Sequence, residues 1–143
     1  MKPLHSLITI SLILFLFACN KKDKVVSKTE LLTTGTWKLT GAESDDDGNG
    51  TYETDDFAFF PACYKDNFFT FKTNGQAEYD EGPTKCDVMD PQTETTTWTF
   101  TNNENSLVLD SDTYDLLELS NTTLRLKQNF SGGRSSRVTL TKR

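Results

Sequence analysis

The amino-acid sequence predicts an all-β protein: eight short strands in an up-and-down antiparallel barrel, with a β-sandwich as the alternative. Three observations lead there. From residue 36 onward apolar residues alternate with Thr, Lys, Arg or Glu, the period-two pattern of strands buried on one face. Turn residues punctuate these runs, so that successive strands become antiparallel neighbours. No segment beyond residue 35 reads as a long amphipathic helix, which removes parallel βαβ architectures. A closed barrel abolishes both sheet edges and a sandwich keeps them; composition alone does not choose between the two.

Ser27, followed three residues on by Glu30, makes a capping-box pattern before Leu31-Leu32, so one short helical turn is expected, ended by Gly35. Strands are expected over 36–40, 67–72, 76–80, 95–101, 106–109, 114–119, 123–128 and 137–142. Asn74-Gly75 is a hairpin signal between the second and third. The fourth is the clearest, with Trp98 and Phe100 set between Thr97, Thr99 and Thr101. Alternation assigns Trp37, Leu39, Phe69, Phe71, Tyr79, Trp98, Phe100, Leu117, Leu119, Leu124, Leu126, Val138 and Leu140 to the interior. An eight-stranded barrel is just wide enough to be filled by side chains or to hold one small ligand. So many large residues, with Ala77 the one small residue placed among them, predict a packed middle and Trp37 end, and a shallow cavity at the opposite mouth.

Before the domain stands a different kind of segment. Lys2 precedes the apolar stretch 7–17, and Leu16-Phe17-Ala18-Cys19 ends it on a small residue directly before a thiol. This resembles a bacterial lipoprotein signal with its lipobox. The resemblance implies cleavage before Cys19, diacylglycerol on the Cys19 sulfur, and a mature protein held to membrane lipid in the bacterial cell envelope, at the outer membrane, facing the periplasm or the outside. An apolar run of roughly a dozen residues is short against the ~20 that a spanning helix needs. The expected organisation is therefore 1–18 signal peptide, 19–30 lipidated tether, polar and charged, and 31–143 one β-barrel domain.

Removing residues 1–18 takes away Lys2 and the only histidine, His5, so the formal net charge moves from −6 to −7 and no imidazole remains. That absence excludes Ser-His and Cys-His nucleophile pairs, a histidine general base and His-ligated zinc. Acidic pairs such as Asp80-Glu81, and Asp110 with Asp112, sit in turns, where carboxylates are ordinarily solvated, and no enzymatic activity is expected. An acidic chain also repels phosphate backbones, which argues against nucleic acid as a partner. Apart from Cys19 the cysteines are Cys63 and Cys86; in an exported protein a structural disulfide between them is the default.

The stretch from Asp45 to Asp56 places Asp45, Asp47, Asn49, Thr51 and Asp56 at positions 1, 3, 5, 7 and 12 of a D-x-D-x-N-G loop, a calcium-ligand spacing with Asp in the last place. A solvated acidic turn is the alternative, since no helix flanks it. Structural calcium is thus the one candidate cofactor. Phe57-Ala58-Phe59-Phe60 is either an exposed recognition patch or a plug at one end of the barrel, pinned by the cysteines beside it.

Gly35-Thr36-Trp37, after one helical turn and opening the first strand, resembles the Gly-x-Trp start of lipocalins, and the count of eight strands agrees. The whole of 31–143 is similar to the lipocalin-like lipoproteins of Bacteroidetes-type bacteria, through Cys63-Tyr64-Lys65-Asp66-Asn67, Phe68-Phe69-Thr70-Phe71, Asn74-Gly75 and Cys86. The resemblance implies a barrel with Trp37 at its closed end beneath a late arginine, Arg137 or Arg143. It also implies a non-enzymatic, membrane-anchored module holding a small hydrophobic ligand in the barrel mouth. The alternative is a structural or adaptor lipoprotein with a solid core, acting through its surface.

Overall fold

The computed structural model describes residues 25–143; the expected signal peptide, Cys19 and most of the expected tether lie outside the described residues. Helix α1 (Lys28–Thr33) begins at Ser27, whose hydroxyl accepts the Glu30 N–H at 3.0 Å, as the capping-box pattern predicts. Gly35, at φ 83°, turns the chain into the barrel.

Nine strands follow: β1 (Trp37–Asp45), β2 (Thr54–Asp55), β3 (Phe68–Phe71), β4 (Gln76–Asp80), β5 (Thr93–Thr101), β6 (Ser106–Leu109), β7 (Asp112–Leu119), β8 (Thr123–Asn129) and β9 (Ser135–Lys142). They form one antiparallel sheet in the order β2-β1-β3-β4-β5-β6-β7-β8-β9, and β1 pairs again with β9. That second pairing closes β1 and β3–β9 into a ring of eight, which settles the barrel over the sandwich.

The ninth strand has a local cause. β3 reaches β1 only at Trp37 and Lys38, and β2 takes up Glu43 and Ser44 farther along, where β3 has diverged. A four-residue helix, α2 (Asp56–Phe59), continues from β2 and is capped by the Asp55 carboxylate, which accepts the Ala58 N–H at 3.1 Å.

One end of the barrel carries α1 and the 72–75, 102–105 and 120–122 turns; the other carries the long 46–67 connection and the 81–92 loop. The α1 end is closed and dense. Leu32, Trp37, Leu107 and Leu124 are fully buried there, and the Trp37 indole donates to the Leu32 carbonyl at 2.8 Å. Phe71, Trp98 and Phe100 stack edge to face, with centroids 5.9 and 5.4 Å apart, and the Trp98 indole donates to Lys72 O at 2.9 Å.

Two expectations about facing need correction. The group under Trp37 is neither Arg137 nor Arg143 but Lys142, directly opposite it on β9: the ammonium lies 4.6 Å from the ring centroid and donates to Leu31 O at 2.6 Å. Arg137 points outward, bound to Glu43 at 2.6 Å and stacked on Tyr52, while Arg143 lies over Phe68. Leu117 is 48% exposed rather than interior, because a bulge between Leu116 and Glu118 shifts the alternation and turns Leu116 inward. Leu107, fully buried, was missed because its strand is only four residues long and shows too little alternation to assign a face.

Candidate ligand cavity and mouth

The aromatic residues of β3–β5 fill one side of the barrel. Against the other side, β7–β9, a cavity of about 280 Å³ remains, with Phe69 and Phe71 as its far wall. Strand register resolves its lining into levels, since directly paired residues share a face. Lowest are Leu39, Leu140 and Leu124, one step above Trp37. Next come Val138 and Leu126, with Ala42 opposite Val138. The next register row is polar: Ser136 faces Gln128 across β8–β9, Ser44 faces Ser136 across β1–β9, and Tyr114 follows Gln128 one step beyond the Asp115–Lys127 pair; because barrel strands are tilted, this row climbs from Tyr114, paired with the buried Leu107, to Ser44 at the rim recess. Ser136, Gln128 and Tyr114 all line the cavity.

The cavity thus descends through two apolar levels instead of being shallow. Ala42, Ser44 and Ser136 explain the difference. All three lie inward on stretches of β1 and β9 that extend beyond the strand limits expected from alternation, and each leaves space where a larger side chain would fill the barrel. Burial, and secondarily the Asp112 carboxylate, raise the pKa of Tyr114 above its ordinary 10.0, so its phenol stays a proton donor at neutral pH.

Above this belt the rim recess is lined by Ser44, Asp45, Asp46, Phe130, Arg134 and Ser135. The acidic loop shapes it. Asp45 is 2% exposed and its carboxylate accepts the N–H groups of Gly48, Asn49 and Gly50 at 2.8–3.1 Å, which organises the turn. Asp47 and Glu53 come within reach of Asp45, making three carboxylates that could hold a cation. Of the residues expected from spacing, Asp45 and Asp47 are in this group. Asn49 sends its amide to Asp47 and Glu53, Thr51 contributes its N–H to Asn49, and Asp56 is not in the group but opens α2. Glu53 replaces Asp56 because β2 and α2 carry the chain away after residue 53.

Cys63 and Cys86 form a disulfide, with Cα atoms 5.2 Å apart, tying the 46–67 connection to the 81–92 loop. Beneath it Asn67, 3% exposed, has its amide turned to donate to the Cys63 and Glu81 carbonyls, both at 2.7 Å, and to accept from the Tyr79 hydroxyl. Gly82, at φ 70°, passes so close to Asp66 that a Cβ would overlap its carbonyl oxygen. The Phe57–Phe60 segment does not plug the barrel. Phe60 packs edge to face with both Phe57 and Tyr64, none of the three phenylalanines of this segment lines the cavity, and Phe59 is 81% exposed. α2 packs beside β1.

The sequence model of the lipocalin-like domain family matches residues 33–126, about two thirds of the chain. The chain belongs to the lipocalin-like domain family. The match ends within β8, and the structure adds β9, the strand that closes the ring of this lipocalin-like domain onto β1. Among solved structures it is similar to a DUF4847 family protein from Bacteroides vulgatus ATCC 8482. The identity is 11%, the TM-score is 0.53, and the alignment covers 80% of this chain and 96% of that one, so the likeness is one of fold. No curated protein matches the chain.

Proposed function

We propose that this lipocalin-like domain is a non-enzymatic module of the bacterial cell envelope, anchored through an acylated Cys19, which holds one small hydrophobic ligand in its barrel. The observation that carries the reading is the apolar cavity beside the Ser44–Ser136–Gln128–Tyr114 row. Its volume of about 280 Å³ is at the lower end of ligand sites, which run from ~300 to 1,000 Å³. Among the described residues its lining carries no carboxylate, imidazole or thiol, and neither Ser136 nor Tyr114 has a general base beside it in that lining. Anchoring is supported by the Leu16-Phe17-Ala18-Cys19 motif alone.

Saturable binding of the neutral apolar fluorophore N-phenyl-1-naphthylamine to the protein, lost on Val138→Trp at the middle level of the cavity, is the expected outcome. Anchoring is checked separately: the mature protein should carry diacyl or triacyl mass on Cys19, and Cys19→Ala should leave the detergent phase. If detergent partitioning survives that change, the anchor is elsewhere.

A structural or adaptor role through the surface is the second reading, and one observation favours it. Phe59, Val88 and Met89 are each more than 80% exposed, on the two loops that the disulfide joins. A cavity that takes up no fluorophore would turn the assignment to that rim. For the acidic loop we infer calcium as the cation its three carboxylates would take, with Asn49 withdrawing its amide from Asp47 and Glu53.

A further inference from the structure

The wall of the cavity is not uniform: polar and apolar residues occupy different register rows of β1 and β7–β9. Two rows are apolar, whereas a third is polar across four adjacent strands: Tyr114, Gln128 and Ser136 line the cavity, and Ser44 continues the row to the rim recess. Among the described residues none of these four side chains has a hydrogen-bond partner in the protein. A purely hydrocarbon ligand reaching this row would strip water from them and leave them unpaired, an unfavourable outcome for any buried donor or acceptor.

Charge decides what the belt prefers. Its four members are neutral. Asp112 stands close enough to Tyr114 to disfavour a second negative charge there, and Asp46 lines the rim recess. Arg134, the one cation of that recess, turns its Nε toward the Ser131 carbonyl at 3.4 Å. Size sets the other limit: about 280 Å³ equals about nine water-sized groups at ~30 Å³ each.

We propose, resting on the ligand-binding reading, that the site is built for an uncharged single-chain amphiphile of about nine to ten non-hydrogen atoms in all, with its apolar tail against the two apolar rows and a hydroxyl or amide head hydrogen-bonded by Gln128, Ser136 and Tyr114.

The test is displacement of bound N-phenyl-1-naphthylamine from the whole protein at pH 7.5 by 1-decanol, decanamide, decanoate and 1-hexadecanol. Decanol and decanamide should compete at least about tenfold better than decanoate, and hexadecanol should lose to decanol because its chain exceeds the cavity. Gln128→Leu and Ser136→Ala should each erode the advantage of decanol while fluorophore binding persists. Decanoate competing as well as decanol, or a decanol advantage unchanged in both variants, overturns the head-group assignment and leaves the cavity reading intact. Failure of the fluorophore and of all four competitors to bind overturns both.

Discussion

The closed end and the mouth of this barrel are held by different forces. At the closed end, α1 is sealed under the barrel by packing: Leu32 and Trp37 are fully buried, joined by an indole-to-carbonyl bond, with Lys142 closing from below. At the mouth the connections are long, large apolar side chains face solvent, and order comes from a disulfide, a buried carboxylate and a buried amide. Packing fills space and directional bonds do not, so the same chain is solid at one end and hollow at the other.

The most severe way to break this contrast is at the closed end. Trp37→Ala should cost about 3–5 kcal/mol, read as a shift of the urea midpoint, because a buried ring and its hydrogen bond vanish together. A loss below about 1 kcal/mol would mean that the closed end is not the stabilising half. Removing the disulfide with Cys63→Ser and Cys86→Ser should cost about 3 kcal/mol through the 23-residue separation it closes. Free-thiol titration of the unreduced protein should find neither cysteine reactive.

Gly82→Ala should cost about 1–3 kcal/mol, since a Cβ there meets the Asp66 backbone while φ is already positive. An unchanged melting temperature would show that the Asp66–Gly82 contact yields freely. Calcium has a smaller expected effect, because the loop is already organised by Asp45. A cation at ten times its Kd adds about 1.4 kcal/mol. Calcium should raise the melting temperature modestly, magnesium less, and Asp47→Ala should abolish the increment; a flat response assigns the loop to its own hydrogen bonds.

The weakest lever is alkaline pH. Burial, and then nearby acids, raise Tyr79 and Tyr114 above 10.0, so the folded chain holds those protons more tightly than the unfolded one. Their contribution is complete below pH 10.0 and is lost as pH rises through the folded values. Lys142, lowered by burial from 10.5, acts in the opposite sense just below that value, gaining stability as pH rises. Above pH 10.5 the lysine gain is complete and the tyrosines alone remain, so stability should fall there, and the fall should be flattened in the Tyr79→Phe, Tyr114→Phe double variant.

The same contrast governs how much the sequence revealed. Alternation found all eight ring strands because each has one buried face, and capping chemistry found α1 from Ser27 and Glu30. It failed where local rules were broken. The bulge at Leu116 inverted Leu117, and β2 is two residues long and exists only because β3 leaves β1 uncovered. The cavity was hidden for a related reason: Ser44 and Ser136 look like turn residues in sequence and fall inward only because β1 and β9 pair to their ends. Calcium spacing selected Asp56 over Glu53 because sequence distance does not register the departure of the chain along β2 and α2.

The position of α1 has a consequence for orientation. The described chain enters at Val25, next to the helix beneath Trp37, and Lys28 is fastened to Glu104 O in the turn of the β5–β6 hairpin. Any pull exerted through the preceding residues therefore reaches the base of the cup and passes directly into its densest packing. An anchor at Cys19, as proposed, would therefore attach at this closed end, the end of the barrel opposite to the mouth and its proposed ligand.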